Sequence, residues 1–529
     1  MSSFHGRTLG TRSRAAATWS ISLAAIASLA GCDGSDSPAP LAQTCAGLAN
    51  LMLGTNTATV TEAKVLTATA GQPEYCVAQV KFADSALRFE ARLPTSGWNG
   101  KLAFLGGGGF DGNVPTAGIS ESIASERYAT LATNGGYDAP PAFSDYLKAE
   151  FAYDAVKLAD FTYQSEHRSL PLGKELIKAY YGSAPTKSYF EGCSMGGHDA
   201  MMEAQRYPLD FDGIVARAPV GNMMGVTMEF NRISKRARVA ASNSSLNSAK
   251  QTLLANAVLA QCDALDGVTD GIISKPAACT YDPAPLRCAG GVDTGNTCLS
   301  DAQIATVTAI TTPITSADGA WSHTGFYFGA ENSTKGWGEY FWPSAALGGD
   351  SLGGLLGDGL IRSFVTRMPG FDTATFNPDQ WLPEMSLIGT MFNATNPDLS
   401  AMQGRGAKLI MWNGATDTSA SAKDNSKFYD SVVTKMGQAN ADKVVELFVA
   451  PGVGHCGGGV GPDKVDLVKA LATWVEQGSA PSAQGLVHRK VSATGATTLS
   501  RPACKYPAYP RYKGAGDPND ASNFACSTQ

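Results

Sequence analysis

A serine in Gly192-Cys193-Ser194-Met195-Gly196, a histidine in Gly454-His455-Cys456 and an aspartate in Gly414-Ala415-Thr416-Asp417 are the residues of this chain suited to nucleophilic catalysis. A serine hydroxyl is a weak nucleophile until a base takes its proton, and a neutral imidazole is the side chain fitted to do so near pH 7. A carboxylate behind the imidazole fixes its tautomer and stabilises the imidazolium that forms. The chemistry implied is acyl transfer.

The pattern G-x-S-x-G is weak evidence alone in a chain with 58 glycines. A second match, Gly349-Asp350-Ser351-Leu352-Gly353, has no strand before it and reads as a loop. The first match has the right surroundings. An apolar strand, Lys187 to Glu191, enters it and a helix, Gly197 to Tyr207, leaves it, so the chain turns sharply at Ser194. Such a turn lifts the hydroxyl off the sheet and puts the amide of Met195 at a helix N-terminus, where an oxyanion can be held. A second donor is expected from the run Gly106 to Gly109 that follows strand Lys101 to Leu105, with Gly109, beside Phe110, as the choice. Of the six histidines, His5 falls in a leader, His198 on the helix after the serine, His323 in an irregular stretch, and His167 and His488 in polar surroundings. Only His455 follows a returning apolar strand, in PGVGHCGGG. Asp417 leaves the end of strand Lys408 to Trp412, and the order serine, acid, histidine suits a hydrolase sheet; Asp424 is the alternative acid.

Strands and amphipathic helices must place these residues, and from about residue 98 they alternate. Lys101 to Leu105 and Tyr128 to Thr133 read as strands, Glu150 to Gln164 and Lys174 to Tyr181 as helices, then the serine unit and strand Gly213 to Ala216. This rhythm predicts an α/β fold with a parallel sheet covered on both faces. It stops after Pro219 and returns at Ala407 to Trp412, Lys443 to Ala450 and helix Lys464 to Glu476. The expected division is a catalytic domain in two parts, 45–219 and 401–529, with 220–400 inserted as a lid. Trp321, Trp337, Trp342 and Trp381, with Phe326, Tyr327, Phe328, Phe341 and Phe364, offer flat walls for an aromatic acyl group or simply fill the core of that lid.

At 529 residues the chain needs one large domain with an insertion, or two domains. Arg7, Arg12 and Arg14 precede the apolar run Ala15 to Ala30, which ends Leu29-Ala30-Gly31-Cys32. Residues 1–31 read as a signal peptide, and the ending resembles a lipobox, making Cys32 a lipidation site and 32–44 a tether. Loss of 1–31 removes three arginines and no acid, leaving 38 basic against 47 acidic residues, a net charge of −9, which excludes nucleic acid as a natural partner. An exported monomer is expected, periplasmic or on the cell surface, touching membrane only through its lipid. Of the eleven cysteines, ten remain after Cys32. An even number in an oxidising compartment suits five disulfides. Spacing favours Cys45/Cys76, Cys262/Cys279, Cys288/Cys298 and Cys504/Cys526 among many possible pairings, which leaves Cys193 for Cys456. In CDALDGVTDGII, residues 262 to 273, Asp263, Asp266 and Asp270 fall on one curled loop. By residue type it is either a structural Ca²⁺ site or a solvated acidic loop.

Together these pieces resemble the tannase/feruloyl esterase family of secreted serine esterases, over essentially the whole mature chain. The carriers are the adjacent pairs Cys193-Ser194 and His455-Cys456, the aspartate loop, and the ending RYKGAGDPNDASNFAC. The resemblance implies an α/β-hydrolase fold with a calcium-bearing lid, and a disulfide between Cys193 and Cys456. It implies Ca²⁺ held by Asp263, Asp266 and Asp270 with the carbonyls of Val268 and Ile272. The substrate class it implies is a small aromatic ester: a feruloyl-type hydroxycinnamoyl ester first, a galloyl ester or mono(2-hydroxyethyl) terephthalate as alternatives. The terephthalate reading needs a lid arginine for the free carboxylate. Arg362 and Arg367 are the candidates, but Gly359-Leu360-Ile361 supplies no aromatic beside them.

Overall fold

Six short apolar runs form the centre of a ten-stranded sheet. Its strands are β1 Met52–Leu53, β2 Ala58–Leu66, β3 Tyr75–Phe82, β4 Arg88–Pro94, β5 Lys101–Leu105, β6 Ala129–Thr133, β7 Lys187–Cys193 and β8 Gly213–Arg217. After a ribbon of β9 Ile314–Thr315 and β10 Ser322–His323 in the inserted segment, β11 Lys408–Gly414 and β12 Val445–Ala450 complete it. The spatial order is β1-β2-β3-β4-β6-β5-β7-β8-β11-β12. The computed structural model describes residues 43–238, 244–333 and 335–529. The stretch expected to be a signal peptide, Cys32 and the expected tether up to residue 42 lie outside them.

From β6 through β12 neighbouring strands pair in parallel, whereas β1 to β4 pair antiparallel and β4 joins β6 antiparallel. The sheet is therefore mixed, and the expected all-parallel sheet is corrected for four of its strands. Central strands are buried on both faces, which is why they read as continuous apolar runs. Leu102, Phe104, Leu409 and Met411 pack on one face with Leu176 and Met201, while Ala103, Leu105, Ile410 and Trp412 pack on the other with Leu471 and Trp474. The two-residue alternation of strand side chains divides the core in this way.

All four predicted helices differ from expectation in their bounds, including the one expected from Lys174, which begins at Ser165. Glu150 to Gln164 is not one helix: a 3₁₀ turn, Glu150–Tyr153, ends at Asp154, whose carboxylate caps a new helix at the amides of Val156 and Lys157. That helix widens over Asp160–Gln164 and continues as Ser165–Tyr181, with Pro171 inside. The helix after the serine begins at Met195 rather than Gly197, and the last large helix spans Leu467–Gln477.

The stretch between β8 and β11 is mostly helical, with Met223–Ala237, Ser248–Cys262, Asp301–Thr311, Leu352–Gly359 and Leu382–Phe392 as its larger helices. It has its own apolar cluster, built on Trp337, Trp342, Phe364 and Phe392, which Phe110, Tyr137 and Met195 join from the sheet side. Ser351 of the second G-x-S-x-G match caps Leu352–Gly359 through the amide of Gly354 and takes no part in a strand-to-helix turn. Among the described residues five disulfides form, Cys45–Cys76, Cys193–Cys456, Cys262–Cys279, Cys288–Cys298 and Cys504–Cys526. Such a set belongs to an oxidising, extracytoplasmic setting. No helix among the described residues is long and apolar enough to cross a membrane.

Candidate active site

The serine turn is built by close backbone approach. Ser194 sits at φ 65° and ψ −117°, a strained conformation for a residue with a side chain. A Cβ at Gly192 would collide with the carbonyl of Gly196, and a Cβ at Gly196 would strike the backbone of Gly106 and Gly107. Both glycines are thus required by space. The Ser194 amide donates to the Arg217 carbonyl of β8 at 3.1 Å, which fixes the turn to the sheet. Beneath it Arg217 and Glu191 form a fully buried ion pair at 2.9 Å, and Glu191 also accepts the amides of Ile119 and Ser120. Those extra bonds offset part of the cost of burying the pair.

His455 lies in the loop after β12, with Nε2 2.8 Å from the Ser194 hydroxyl oxygen. Its Nδ1 faces Asp417 at 2.9 Å and 3.0 Å from the two carboxylate oxygens. Asp417, buried at the end of β11, also accepts the amides of Ser419 and Ala420, both at 2.8 Å. With Nδ1–H donating to the carboxylate, Nε2 is left as the acceptor facing the serine. The Tyr340 ring of the insertion stands edge-on to His455, centroids 6.0 Å apart. Asp424 is elsewhere, accepting the Thr324 amide and facing His323. His198 bonds the Val220 carbonyl, and burial holds it down near pKa 4. His167 stacks on Tyr207, and His488 accepts from the Trp412 indole.

Ser194 opens onto a narrow cavity of about 60 Å³, bordered by Gly109 and Met195 and walled by Phe110, Met223, Phe230, Leu360 and Phe392. None of its lining side chains is charged. A more polar cavity of about 230 Å³ adjoins it, sharing Val220, Val226 and Ser419. The aromatics singled out in the sequence are mostly packing: Trp337, Trp342, Phe326, Phe328, Phe341 and Phe364 are buried in the core of the insertion. The rings at the serine are Phe110, Phe230 and Phe392, which carry no local sequence signal. Arg362 and Arg367 do not border the cavity. Arg362 Nε donates to the Phe371 carbonyl, and Arg367 donates to the carbonyls of Ala152 and Tyr153.

Asp111, just after the glycine run, and Asp199 and Glu203 on the helix after Ser194 are buried acids that sequence reading also missed. Burial, with Glu166 nearby, pushes the carboxyls of Asp111 and Asp199 well above the usual range, and burial does the same to Glu203. In the aspartate loop, Asp263 accepts the amide of Gly271 at 2.9 Å and Asp270 pairs with Arg501 of the strand Thr497–Pro502. Among the described residues no three His, Cys, Asp or Glu side chains converge as a metal group. Asp266 Oδ2 is nevertheless buried without a hydrogen-bond partner. Burial raises that carboxyl to about 6, and Asp270 and Asp263 add to the rise. The other Asp266 oxygen accepts the Val268 amide at 3.2 Å; a buried carboxylate oxygen left open in this way is what a divalent cation would satisfy, and all-oxygen donors suit calcium.

An open sheet whose strand-turn-helix carries a serine within reach of a histidine and an aspartate from later strand ends defines an α/β-hydrolase. Within that class the chain belongs to the tannase and feruloyl esterase family, whose model matches residues 74–527. It is 31% identical to the mono(2-hydroxyethyl) terephthalate hydrolase of Piscinibacter sakaiensis, over 90% of each chain. It is 27% identical to feruloyl esterase B of Aspergillus niger, over 84% of each. Among solved structures, feruloyl esterase B from Aspergillus oryzae superposes with a TM-score of 0.79 at 25% identity, covering 90% of this chain and 98% of that one. The tannin acyl hydrolase of Aspergillus niger shares the fold, with a TM-score of 0.71 at 18% identity over 93% and 96% of the two chains. The protein is a carboxylic ester hydrolase.

Proposed function

We propose that the protein hydrolyses esters of hydroxycinnamic acids of the feruloyl type, with Ser194 as nucleophile, His455 as general base and acid, and Asp417 orienting the imidazole. The observation that carries this reading is the run of hydrogen bonds from Asp417 through His455 to Ser194 at the mouth of an uncharged, ring-walled cavity. His455 Nε2 takes the hydroxyl proton as Ser194 Oγ attacks the ester carbonyl. The N–H groups of Gly109 and Met195 receive the oxyanion, each donor contributing about 10² to 10³ in rate. His455 then protonates the departing alcohol, leaving the acyl group on Ser194. Water, deprotonated by His455, attacks the acyl carbonyl, and Ser194 leaves with the proton returned to it.

The apolar walls favour a hydroxycinnamoyl ring over the three hydroxyls of a galloyl group, whose burial without partners is costly. A terephthalate monoester brings a carboxylate that meets no cation in this cavity, because Arg362 and Arg367 are engaged by backbone carbonyls. Methyl ferulate is therefore expected to exceed methyl gallate, and methyl gallate mono(2-hydroxyethyl) terephthalate, each by about tenfold or more in kcat/KM. A reversed order would refute the assignment of acyl group while leaving the esterase intact.

Calcium is proposed as a structural ion of the insertion, held by Asp263, Asp266, Asp270 and the carbonyls of Val268 and Ile272. Its support is the unpartnered oxygen of Asp266 on a loop clamped by Cys262–Cys279. EDTA is expected to lower the thermal midpoint by several degrees, corresponding to the roughly 3 kcal/mol that a hundredfold excess of ion over Kd contributes, and calcium to restore it. An unchanged midpoint refutes the site. Lipidation at Cys32 and a monomeric state complete the proposal.

A further inference from the structure

The glycine loop after β5 is pinned to the sheet at its ends. The Gly106 amide donates to the Glu191 carbonyl at 2.9 Å, the Gly196 amide to the Gly107 carbonyl at 3.0 Å, and the Gly112 amide to the Asn134 carbonyl at 3.0 Å. Its middle, where Gly109 stands at φ 63°, depends on a side chain. The Tyr146 hydroxyl accepts the Phe110 amide at 2.5 Å and donates to the Gly108 carbonyl at 3.3 Å. One hydroxyl thus grips the peptides on both sides of Gly109. A Cβ on Gly109 would run into that hydroxyl, so the contact is close.

The Gly108 carbonyl and the Gly109 N–H belong to one planar trans peptide and point in opposite directions. Holding the carbonyl toward Tyr146 and the Asp111 amide turns the Gly109 N–H the other way. Tyr137 holds the same turn from a second side by donating to the Phe110 carbonyl. The Tyr146 segment is itself seated on the insertion. Ser363 Oγ donates to the Lys148 carbonyl at 2.7 Å, the Tyr153 hydroxyl donates to the Arg362 carbonyl at 3.3 Å, and Gly359 lies against the Leu147 carbonyl. Leu360, next to Gly359, walls the cavity at Ser194.

We propose that Tyr146 is the positioning residue of the oxyanion site: its hydroxyl aims the Gly109 N–H at the reacting carbonyl and ties that aim to the seating of the insertion. Tyr146 touches neither substrate nor reacting atoms in this role. The inference rests on the Ser194 esterase reading, and its test separates the two.

Tyr146→Phe keeps the ring and removes the grip. With methyl ferulate, kcat is expected to fall about 10- to 100-fold, short of the full loss of an oxyanion donor, with KM within about twofold. Inhibition by an arylboronic acid, which forms a tetrahedral adduct on Ser194, is expected to weaken by the same factor as kcat, while ferulic acid as a product inhibitor binds unchanged. A merely structural role would not move the boronate and kcat in parallel at constant ferulate affinity. Should Tyr146→Phe fail to fold, Ser363→Ala, which loosens the segment from the insertion side, is read the same way with a smaller parallel loss. Unchanged kcat, or a kcat loss without weaker boronate inhibition, overturns the proposal. A wild-type enzyme inert toward both methyl ferulate and the boronate overturns the esterase reading instead.

Discussion

Replacing Ser194 with alanine is expected to lower kcat for methyl ferulate by at least about 10⁴-fold, while the thermal midpoint stays within a few degrees of the parent. The hydroxyl has one hydrogen-bond partner, His455 Nε2, so its loss leaves one ring nitrogen in a partly open cavity to be met by water. The turn is held by the Ser194 amide on the Arg217 carbonyl and by the packing of Gly192 and Gly196, none of which needs the hydroxyl. Alanine inherits the same positive φ, so the strain persists in both forms. His455→Ala is expected to cost about as much, and the double variant little more than either single one, because base and nucleophile act as a unit. Residual turnover of roughly 10³ to 10⁴ over water would come from the oxyanion donors and from binding. Single-turnover assays with burst detection measure this directly. A Ser194→Ala protein with more than a tenth of parent activity sinks the assignment of nucleophile.

The meeting of Ser194, His455 and Asp417 was more legible than the scaffold around the candidate site, for a physical reason. Ser194, Asp417 and His455 sit at strand ends where glycines and turn residues mark a backbone under constraint, and β5, β7, β8, β11 and β12 are short apolar runs because both faces are buried. β2 is not such a run. Its outer half, Glu62 to Leu66, is largely exposed, so this strand gives no continuous apolar signal. Tyr146 was invisible for a different reason. Its partners at Gly108 and Phe110 are local neither in sequence nor in pattern, and a tyrosine in a short helix has many uses. Asp111, Asp199 and Glu203 are buried although acids are usually exposed, and nothing in the local sequence marks them. The aromatics of the insertion divide similarly: composition identified a ring-rich region, but only packing decides that Phe230 and Phe392 face Ser194 while Trp337 does not.

Removing both Cys193 and Cys456, each replaced by serine, is expected to lower kcat about 10- to 100-fold with KM little changed, and to lower stability as well. The bridge joins the residue before Ser194 to the residue after His455, across a sequence separation of 263. Closing so long a loop in the unfolded chain contributes on the order of 5 kcal/mol at most by chain entropy. The kinetic effect has a separate origin. A drift of about 1 Å between nucleophile and base is enough to cost about 10² in rate. Other ties limit that drift. The Ser194 amide is bonded to β8, and the histidine loop is held by Thr416, whose hydroxyl donates to the Val453 carbonyl at 2.8 Å. Asp417 grips the imidazole itself. These bonds are why a partial rather than complete loss is expected. The double replacement also avoids the free thiol that either single one would leave beside the site. Because the bridge acts on geometry at the reacting atoms, the loss should fall on kcat and on boronate inhibition together, and should persist at temperatures well below the new thermal midpoint. A double variant that is fully folded at the assay temperature and turns over at the parent rate would show that the strand ends alone keep Ser194 and His455 in register.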